Sequence, residues 1–345
     1  MKFSFKIVVA TAGLTLLAAG CNPFVTKTPA GALKTTNGGV DWIPANVIAG
    51  NAKLTLSDYT ISTMQFDPTK KDTIYAGSYS GGLLKSTDSA GSWSSILSRI
   101  AVYDMAISPT DAQTIYVGGY SVDHGKLLKT TDGGKSWEEM YSEETTSNAV
   151  RSVVINPDNS SEIAIGLSSG NLVKSFDAGR NWVLIRNFQD RVNRMSWQNG
   201  SLYVVLQTKG LFKSSDGGVN FEELTSTIVQ KPGENSFFSN QTQGVQNFSQ
   251  LAVNKSDPTE IYVTTDLGAY KTSTSGKTWV RLNVPIQKKN SQFRAVSISA
   301  SNPRIVYMSA GSTIYKTLDG GISFQTQGIA TGGFINYILV DAELP

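Results

Sequence analysis

KLLKTTDGGKSW, residues 126–137, decides the fold: a short apolar strand runs into an aspartate-glycine turn that closes on a hydroxyl residue and a tryptophan. Asp132 can accept hydrogen bonds from the amides of its own turn, and Gly133 and Gly134 tolerate positive φ. Trp137 supplies a large apolar plug. The turn recurs seven times. Its copies are TTNGGVDW at 35–42, STDSAGSW at 86–93, TTDGGKSW at 130–137, SFDAGRNW at 175–182, SSDGGVNF at 214–221, TSTSGKTW at 272–279 and TLDGGISF at 317–324. The third positions are Asn37, Asp88, Asp132, Asp177, Asp216, Thr274 and Asp319, spaced by 51, 44, 45, 39, 58 and 45 residues. The closing aromatics are Trp42, Trp93, Trp137, Trp182, Phe221, Trp279 and Phe324.

Upstream of most turns the same order returns: an apolar strand, a turn often holding proline, a strand of the IYVG type, then a G-L-x-K-S/T strand entering the turn. The unit containing Asp132 is read as strands over 102–108, 114–120, 126–131 and 136–141. About 45 residues and four antiparallel strands make one propeller blade. The expected fold is all-β, a seven-bladed β-propeller. Six units are complete and the seventh is composite, with 335–340 as innermost strand, 32–42 as the outer two, and no second strand available. Ring closure removes exposed sheet edges.

Composition agrees. The 345 residues carry 32 Gly, 13 Tyr, 14 Phe and 6 Trp with only 17% charged side chains, which suits short strands and tight turns. Beyond the first twenty residues no window shows an amphipathic helical stripe. A net charge of +3, with Lys and Arg dispersed, gives no electrostatic footprint for nucleic acid, which is excluded as the main partner.

Residues 1–20 read as an export signal. Lys2 and Lys6 are the basic region, 7–17 is an apolar core too short to span a bilayer, and Ala18-Ala19-Gly20 precede Cys21. Cys21 is the sole cysteine, so no intramolecular disulfide can form. The segment resembles a bacterial lipobox, with Ala18 where leucine is more usual. That resemblance implies diacylglycerol and an acyl chain on Cys21, a tether over 21–32 and a propeller domain over 33–345. It places the protein outside the cytoplasm, on the periplasmic or cell-surface side of a bacterial membrane. Each buried methylene contributes about 0.8 kcal/mol and stable anchoring takes two chains, which a bacterial lipoprotein carries.

The repeated S/T-x-D-x-G-x-S/T-W pattern resembles the Asp-box, or BNR repeat, of sialidases, sortilin-type receptors and photosystem II stability/assembly factors. The last of these is the nearest in overall pattern, over roughly 33–341. The resemblance implies a non-enzymatic factor that binds protein partners, including membrane proteins, and it makes the boxes scaffold. Their aspartates lie a repeat apart and do not converge on a metal; no cofactor is expected. Thr274 makes the turn bonds only weakly, so the sixth box is expected to be the softest.

Function is expected on the face opposite the boxes, where innermost strands begin. Aligned on Met64, Met105, Val153, Met195, Leu251, Val296 and Ile338, these strands place Ser62, Tyr103, Arg151, Asn193, Ser249, Arg294 and Asn336 two residues earlier. One residue earlier come Thr63, Asp104, Ser152, Arg194, Gln250, Ala295 and Tyr337. Tyr103, Asp104, Arg151, Arg194, Arg294 and Tyr337 are the candidate partner-binding residues. Arginine suits bidentate recognition of a carboxylate or an acidic segment. An ion pair between Asp104 and Arg151 or Arg194 is the competing structural reading.

An arginine cluster at a propeller mouth is also a sialidase feature, so a glycan ligand or glycoside hydrolysis is the alternative. No F/Y-R-I-P segment precedes the repeats, and only Tyr337 and Asp104 can be nominated for catalysis, by position. No catalytic residue is assigned. His124, the only histidine, is expected in a second-to-third-strand turn on the binding face, and Phe237 and Phe238 lie in the long insertion over 227–247.

Overall fold

The computed structural model describes residues 7–12, 31–50, 53–228, 247–286, 292–328 and 333–341. They form a β-propeller of four-stranded antiparallel blades. Six blades are built from contiguous sequence, against seven expected. The blade carrying Asp132 comprises Ala101–Ile107, Ile115–Ser121, His124–Thr130 and Glu138–Ser142, within two residues of expectation. His124 opens the third strand, opposite Ser121, rather than lying in the turn.

The remaining strands make a composite sheet ordered Phe334–Val340, Ile7–Ala12, Gly31–Thr35, Ile43–Pro44. The second-strand position, expected to be vacant, is taken by Ile7–Ala12, which lies within the segment read as an export signal. The reason is compositional. Ile7-Val8-Val9-Ala10-Thr11 repeats the apolar, apolar, apolar, small, hydroxyl order of Ile74-Tyr75-Ala76-Gly77-Ser78, and an export signal needs the same apolar run. The cleavage ahead of Cys21 expected from the sequence would remove this strand, so the observed pairing and that processing exclude one another in a single molecule. Residues 21–30, with Cys21, and Phe237 and Phe238 lie outside the described residues.

The turns hold their own geometry and also join the blades. Asp132 accepts from Lys135 N at 2.9 Å, Ser136 N at 3.0 Å and the Thr130 hydroxyl at 2.7 Å, with Gly133 and Gly134 at φ +73° and +98°. Asn37 accepts from Asp41 N, and the Thr274 hydroxyl accepts from Thr278 N at 2.9 Å, so both substituted turns keep the closing bond. The lysine of the G-L-x-K-S/T strand reaches the next turn. Lys129 Nζ donates to Ala178 O, Lys174 to Gly217 O and Lys271 to Gly320 O. Lys316 donates to Gly38 O and Lys34 to Ser89 O, which ties the composite sheet to a blade on each side.

The turn aromatics seal neighbouring sheets. Trp93 Nε1 donates to Ala45 O at 2.7 Å, and the ring is 0% exposed in a cluster with Ala32, Ala45, Leu56, Ile61 and Met64. Trp137 donates to Ile96 O of the preceding blade but is only half-buried. Trp93→Ala is therefore expected to cost about 3–5 kcal/mol and Trp137→Ala about 2 kcal/mol, read by urea denaturation. Equal costs would contradict this packing.

The turn carboxylates predict an acid limb. Hydrogen bonds from the Asn181 side chain and amide hold Asp177 down at about 2, and those from Asn220 do the same for Asp216. Bonds from Ser136 and Thr130 also lower Asp132. A depressed folded pKa contributes stability that is present above the unfolded value of about 4 and is lost as pH falls toward 2. Thermal midpoints should drop across that window, and Asp216→Asn should lessen the drop. A flat profile would contradict the assignment.

Candidate functional site

Every innermost strand carries a bulge at one place. The register slips between Ile61 and Thr63, Val102 and Asp104, Val150 and Ser152, Val192 and Arg194, Phe248 and Gln250, and Phe293 and Ala295. Phe334–Val340 slips likewise, with Ile335 opposite Thr11 and Tyr337 opposite Ala10. The residue left over is Ser62, Tyr103, Arg151, Asn193, Ser249, Arg294 or Asn336, the whole outer ring of the sequence alignment. A bulge re-aims its side chain, which is why these residues differ in task from their strand neighbours.

Three of the seven join blades. Ser62 Oγ donates to Val102 O at 2.7 Å, Asn193 Nδ2 to Phe248 O at 2.7 Å and Asn336 Nδ2 to Ile61 O at 3.4 Å. Tyr103, Arg151 and Arg294 instead build a cationic and aromatic mouth. The Arg151 guanidinium lies 4.2 Å from the Tyr103 ring centroid, and Tyr103 packs against Tyr79 at 5.0 Å between centroids. Arg294 stacks on Phe334 at 4.1 Å and donates to Asn336 Oδ1 and Gln292 Oε1. Arg191 completes the group, its Nε donating to Asn193 Oδ1 at 3.2 Å.

Sequence alignment missed Tyr79 and Arg191. Tyr79 follows Ile74–Ser78 in a second-to-third-strand turn, is 40% exposed, and is held at the mouth by its N–H bond to Thr60 O. Arg191 stands immediately before Val192–Gln198, outside both aligned rings. The signal available was the R-V-N-R run itself, with two arginines at one strand entrance.

Among the described residues none of Arg151, Arg191 and Arg294 is ion-paired. Asp190, the acid nearest Arg191 in sequence, accepts from Thr208 N, Thr208 Oγ1 and Lys209 N. Arg151 Nε is buried with no hydrogen-bond partner among the described residues. Burial, then the neighbouring Arg151 charge, pulls Arg191 below its ordinary pKa, and burial does so for Arg294. These guanidiniums stay charged, so a negatively charged group, rather than proton loss, is what would offset the cost of their burial.

Asp104, Arg194 and Tyr337 belong to a different layer. Arg194 pairs with Asp104 at 2.9 Å and donates to Tyr337 Oη at 3.1 Å, forming a bar across the channel. Asp104 also accepts from Ser152 Oγ at 2.7 Å, Val153 N at 3.1 Å, Met105 N at 3.0 Å and Thr63 Oγ1 at 3.3 Å. Burial opposes the Arg194 charge, but Asp104 and, after it, Tyr337 and Tyr79 together outweigh it and raise the pKa. With side chains 3% and 16% exposed, Asp104 and Arg194 are engaged with each other. This layer bonds blade to blade: Ser152 Oγ accepts from Met195 N and Gln250 Oε1 from Val296 N. Beyond the bar, toward the face bearing the repeated turns, lies a cavity of about 410 Å³ whose lining includes Gln65, Gln198, Gln250 and Asn254.

No family model matches the chain, and no curated protein does. Solved structures do. A GH74 xyloglucanase from Xanthomonas campestris superposes with a TM-score of 0.61 at 15% identity, over 77% of this chain and 45% of the enzyme. The chain thus spans less than half of that enzyme's length. YCF48 bound to D1 peptide gives a TM-score of 0.58 at 15% identity, over 78% of this chain and 82% of YCF48. YCF48 from Cyanidioschyzon merolae gives 0.58 at 13%, over 79% and 86%. These likenesses show the propeller fold. They divide between glycoside hydrolases and a peptide-binding protein, and at such identity neither activity transfers.

Proposed function

We propose that the chain is a non-enzymatic, membrane-anchored interaction scaffold or assembly factor that binds a partner protein through an acidic segment at the mouth. The observation carrying this reading is the set of arginines, Arg151, Arg191 and Arg294, beside Tyr79 and Tyr103 without an ion pair among the described residues. Charge-assisted, bidentate bonds to carboxylates satisfy such a cluster, and the tyrosine rings offer apolar contact to the same segment. YCF48, similar over most of its length, has been solved with a peptide bound. The composite sheet counts as a seventh blade in this reading, the repeated turns as Asp-boxes, and Cys21 as the lipidated residue after signal cleavage.

The test is binding of a fluorescent peptide with several glutamates and one aromatic residue, compared between the wild type and an Arg151/Arg191/Arg294 triple alanine variant. Equal binding removes the proposal. A glycan-directed hydrolase is the second reading, because GH74 enzymes share the fold. It is opposed by the engagement of Asp104 and Tyr337 with Arg194, which leaves neither nominated group free for catalysis. Turnover of fluorogenic sialosides or xyloglucan, lost in the triple variant, would establish the second reading instead.

A further inference from the structure

We propose that the ring bends along one line, through the seam between the sheets at 61–97 and 101–142 and the seam between those at 192–223 and 248–281, so that two rigid arcs set the width of the mouth. The device does not depend on what occupies the mouth and is tested apart from the scaffold reading. Its basis is a comparison among the seven sheets of one chain. In five of them the lysine of the third strand reaches the fourth residue of the turn on the next sheet. Lys34 Nζ donates to Ser89 O at 3.0 Å, Lys129 to Ala178 O at 3.2 Å, Lys174 to Gly217 O at 2.8 Å, Lys271 to Gly320 O at 3.0 Å and Lys316 to Gly38 O at 2.9 Å. Among the described residues Lys85 and Lys213 make no such bond to their counterparts, Gly133 O and Ser275 O.

Tyrosine hydroxyls mark the same two seams. Tyr116 Oη donates to Ala178 O at 3.0 Å and Tyr262 Oη to Gly320 O at 3.1 Å, each sharing the carbonyl that the lysine beside it uses. Tyr75 and Tyr203 stand opposite Lys85 and Lys213 in the same register, yet their hydroxyls are buried and, among the described residues, bond nothing on the next sheet. The donors are placed alike on their own sheets. Lys85 Nζ lies 5.1 Å from the Tyr75 ring centroid, against 5.2 Å for both Lys129 on Tyr116 and Lys271 on Tyr262. What differs is therefore the position of the neighbouring turn. Ser275 belongs to the turn in which Thr274 stands in place of aspartate. Contacts with fewer satisfied bonds open first.

The two seams divide the ring into an arc of three sheets, 101–223, and an arc of four. The smaller arc is bolted internally: Asp104 accepts from Ser152 Oγ and Val153 N, and Ser152 Oγ accepts from Met195 N, so one network joins all three sheets. Each seam keeps a pivot at its mouth end. Ser62 Oγ donates to Val102 O and Asn193 Nδ2 to Phe248 O, both at 2.7 Å. Trp137 and Trp279 still donate across the seams to Ile96 O and Leu224 O, and Gln65 Nε2 to Met105 O, so the arcs tilt rather than separate. When the turn ends part about pivots at the mouth, side chains beyond the pivots approach one another. Arg151 and Arg191 ride on the smaller arc and Arg294 on the larger, while the packed rings of Tyr79 and Tyr103 straddle one seam. The tilt thereby narrows the mouth.

Paired spin labels read this motion in the purified full chain carrying Cys21→Ser, in which introduced cysteines are the only thiols. The second residue of the turn is exposed at Thr87, Thr131, Phe176, Ser215, Ser273 and Leu318. F176C with L318C spans the two arcs, T131C with S215C lies within the smaller arc, and S273C with T87C lies within the larger. The spanning pair is expected to give a distance distribution roughly twofold broader than either internal pair by double electron–electron resonance. Equal widths overturn the proposal. Lys129→Ala combined with Tyr116→Phe removes the clasp from a closed seam and should broaden the T131C–S215C distribution; an unchanged width in a folded variant overturns the assignment of the bend to these bonds. Melting temperatures give a separate reading. Lys129→Ala and Lys316→Ala should lower the midpoint by several degrees, whereas Lys85→Ala and Lys213→Ala should leave it at the wild-type value. Equal losses from all four substitutions overturn the two-arc division.

Discussion

Asp104→Ala is expected to destabilise the fold by about 3–5 kcal/mol, the cost of leaving a partly buried guanidinium without its counter-charge. The substitution strands more than Arg194. Met105 N and Val153 N lose an acceptor, as do Ser152 Oγ and Thr63 Oγ1, so four donors from three sheets are left without their present partner. Arg194→Ala should cost less, about 2 kcal/mol, because the carboxylate keeps those four donors and loses only one charged partner. The asymmetry distinguishes a bolt between blades from a ligand-binding pair. Were Asp104 and Arg194 part of the mouth, both alanine variants would change peptide affinity and leave stability near wild type. Urea denaturation with unchanged m-values reads the stabilities, and the acidic peptide reads the affinity. A larger loss for Arg194→Ala than for Asp104→Ala would contradict the geometry.

Blade architecture was legible because each step is local. Aspartate, glycine and tryptophan at fixed offsets specify the turn, and the IYVG run before it specifies a strand buried on both faces. The alignment on Met64, Met105 and their counterparts also located the ring of bulged residues, although nothing in the sequence said that a bulge was there. What stayed hidden were relations between blades. Arg194 and Arg151 occupy neighbouring alignment positions in similar strands, yet the bulge sends Arg151 to the mouth and leaves Arg194 in the channel against Asp104. Tyr79 and Arg191 were missed because they lie on loop residues that alignment of strands does not reach. The lysine of the G-L-x-K-S/T strand was visible as a repeated letter, but its partner is a carbonyl on the next blade's turn, some 40 to 60 residues away, as for Lys174 and Gly217. Ile7–Ala12 is the reverse case, where one apolar run satisfies two rules, and only the choice between cleavage and pairing separates them.

The Arg151/Arg191/Arg294 triple alanine variant should bind an acidic peptide at least about 100-fold more weakly, since each charge-assisted contact is worth roughly 1.5–3 kcal/mol and 1.4 kcal/mol is tenfold. Additivity fails for residues this close, so the figure is a floor drawn from two lost contacts rather than a sum over three. Arg151→Ala alone should account for about tenfold, because its guanidinium is already held by the Tyr103 ring and its buried Nε, without a hydrogen-bond partner among the described residues, is open to a carboxylate. Arg151→Lys should recover little, because an ammonium supplies no planar fork for bidentate contact or stacking. Affinity should fall with added salt in the wild type and scarcely change with salt in the triple variant. Stability should move the other way. Removing three neighbouring like charges, of which Arg191 and Arg294 are held below their ordinary pKa by burial, relieves repulsion, so the triple variant is expected to be no less stable than wild type. Weaker peptide binding together with preserved or higher stability is the combination that marks a binding mouth; a variant that loses both has lost its fold, and one that keeps both has no use for these arginines.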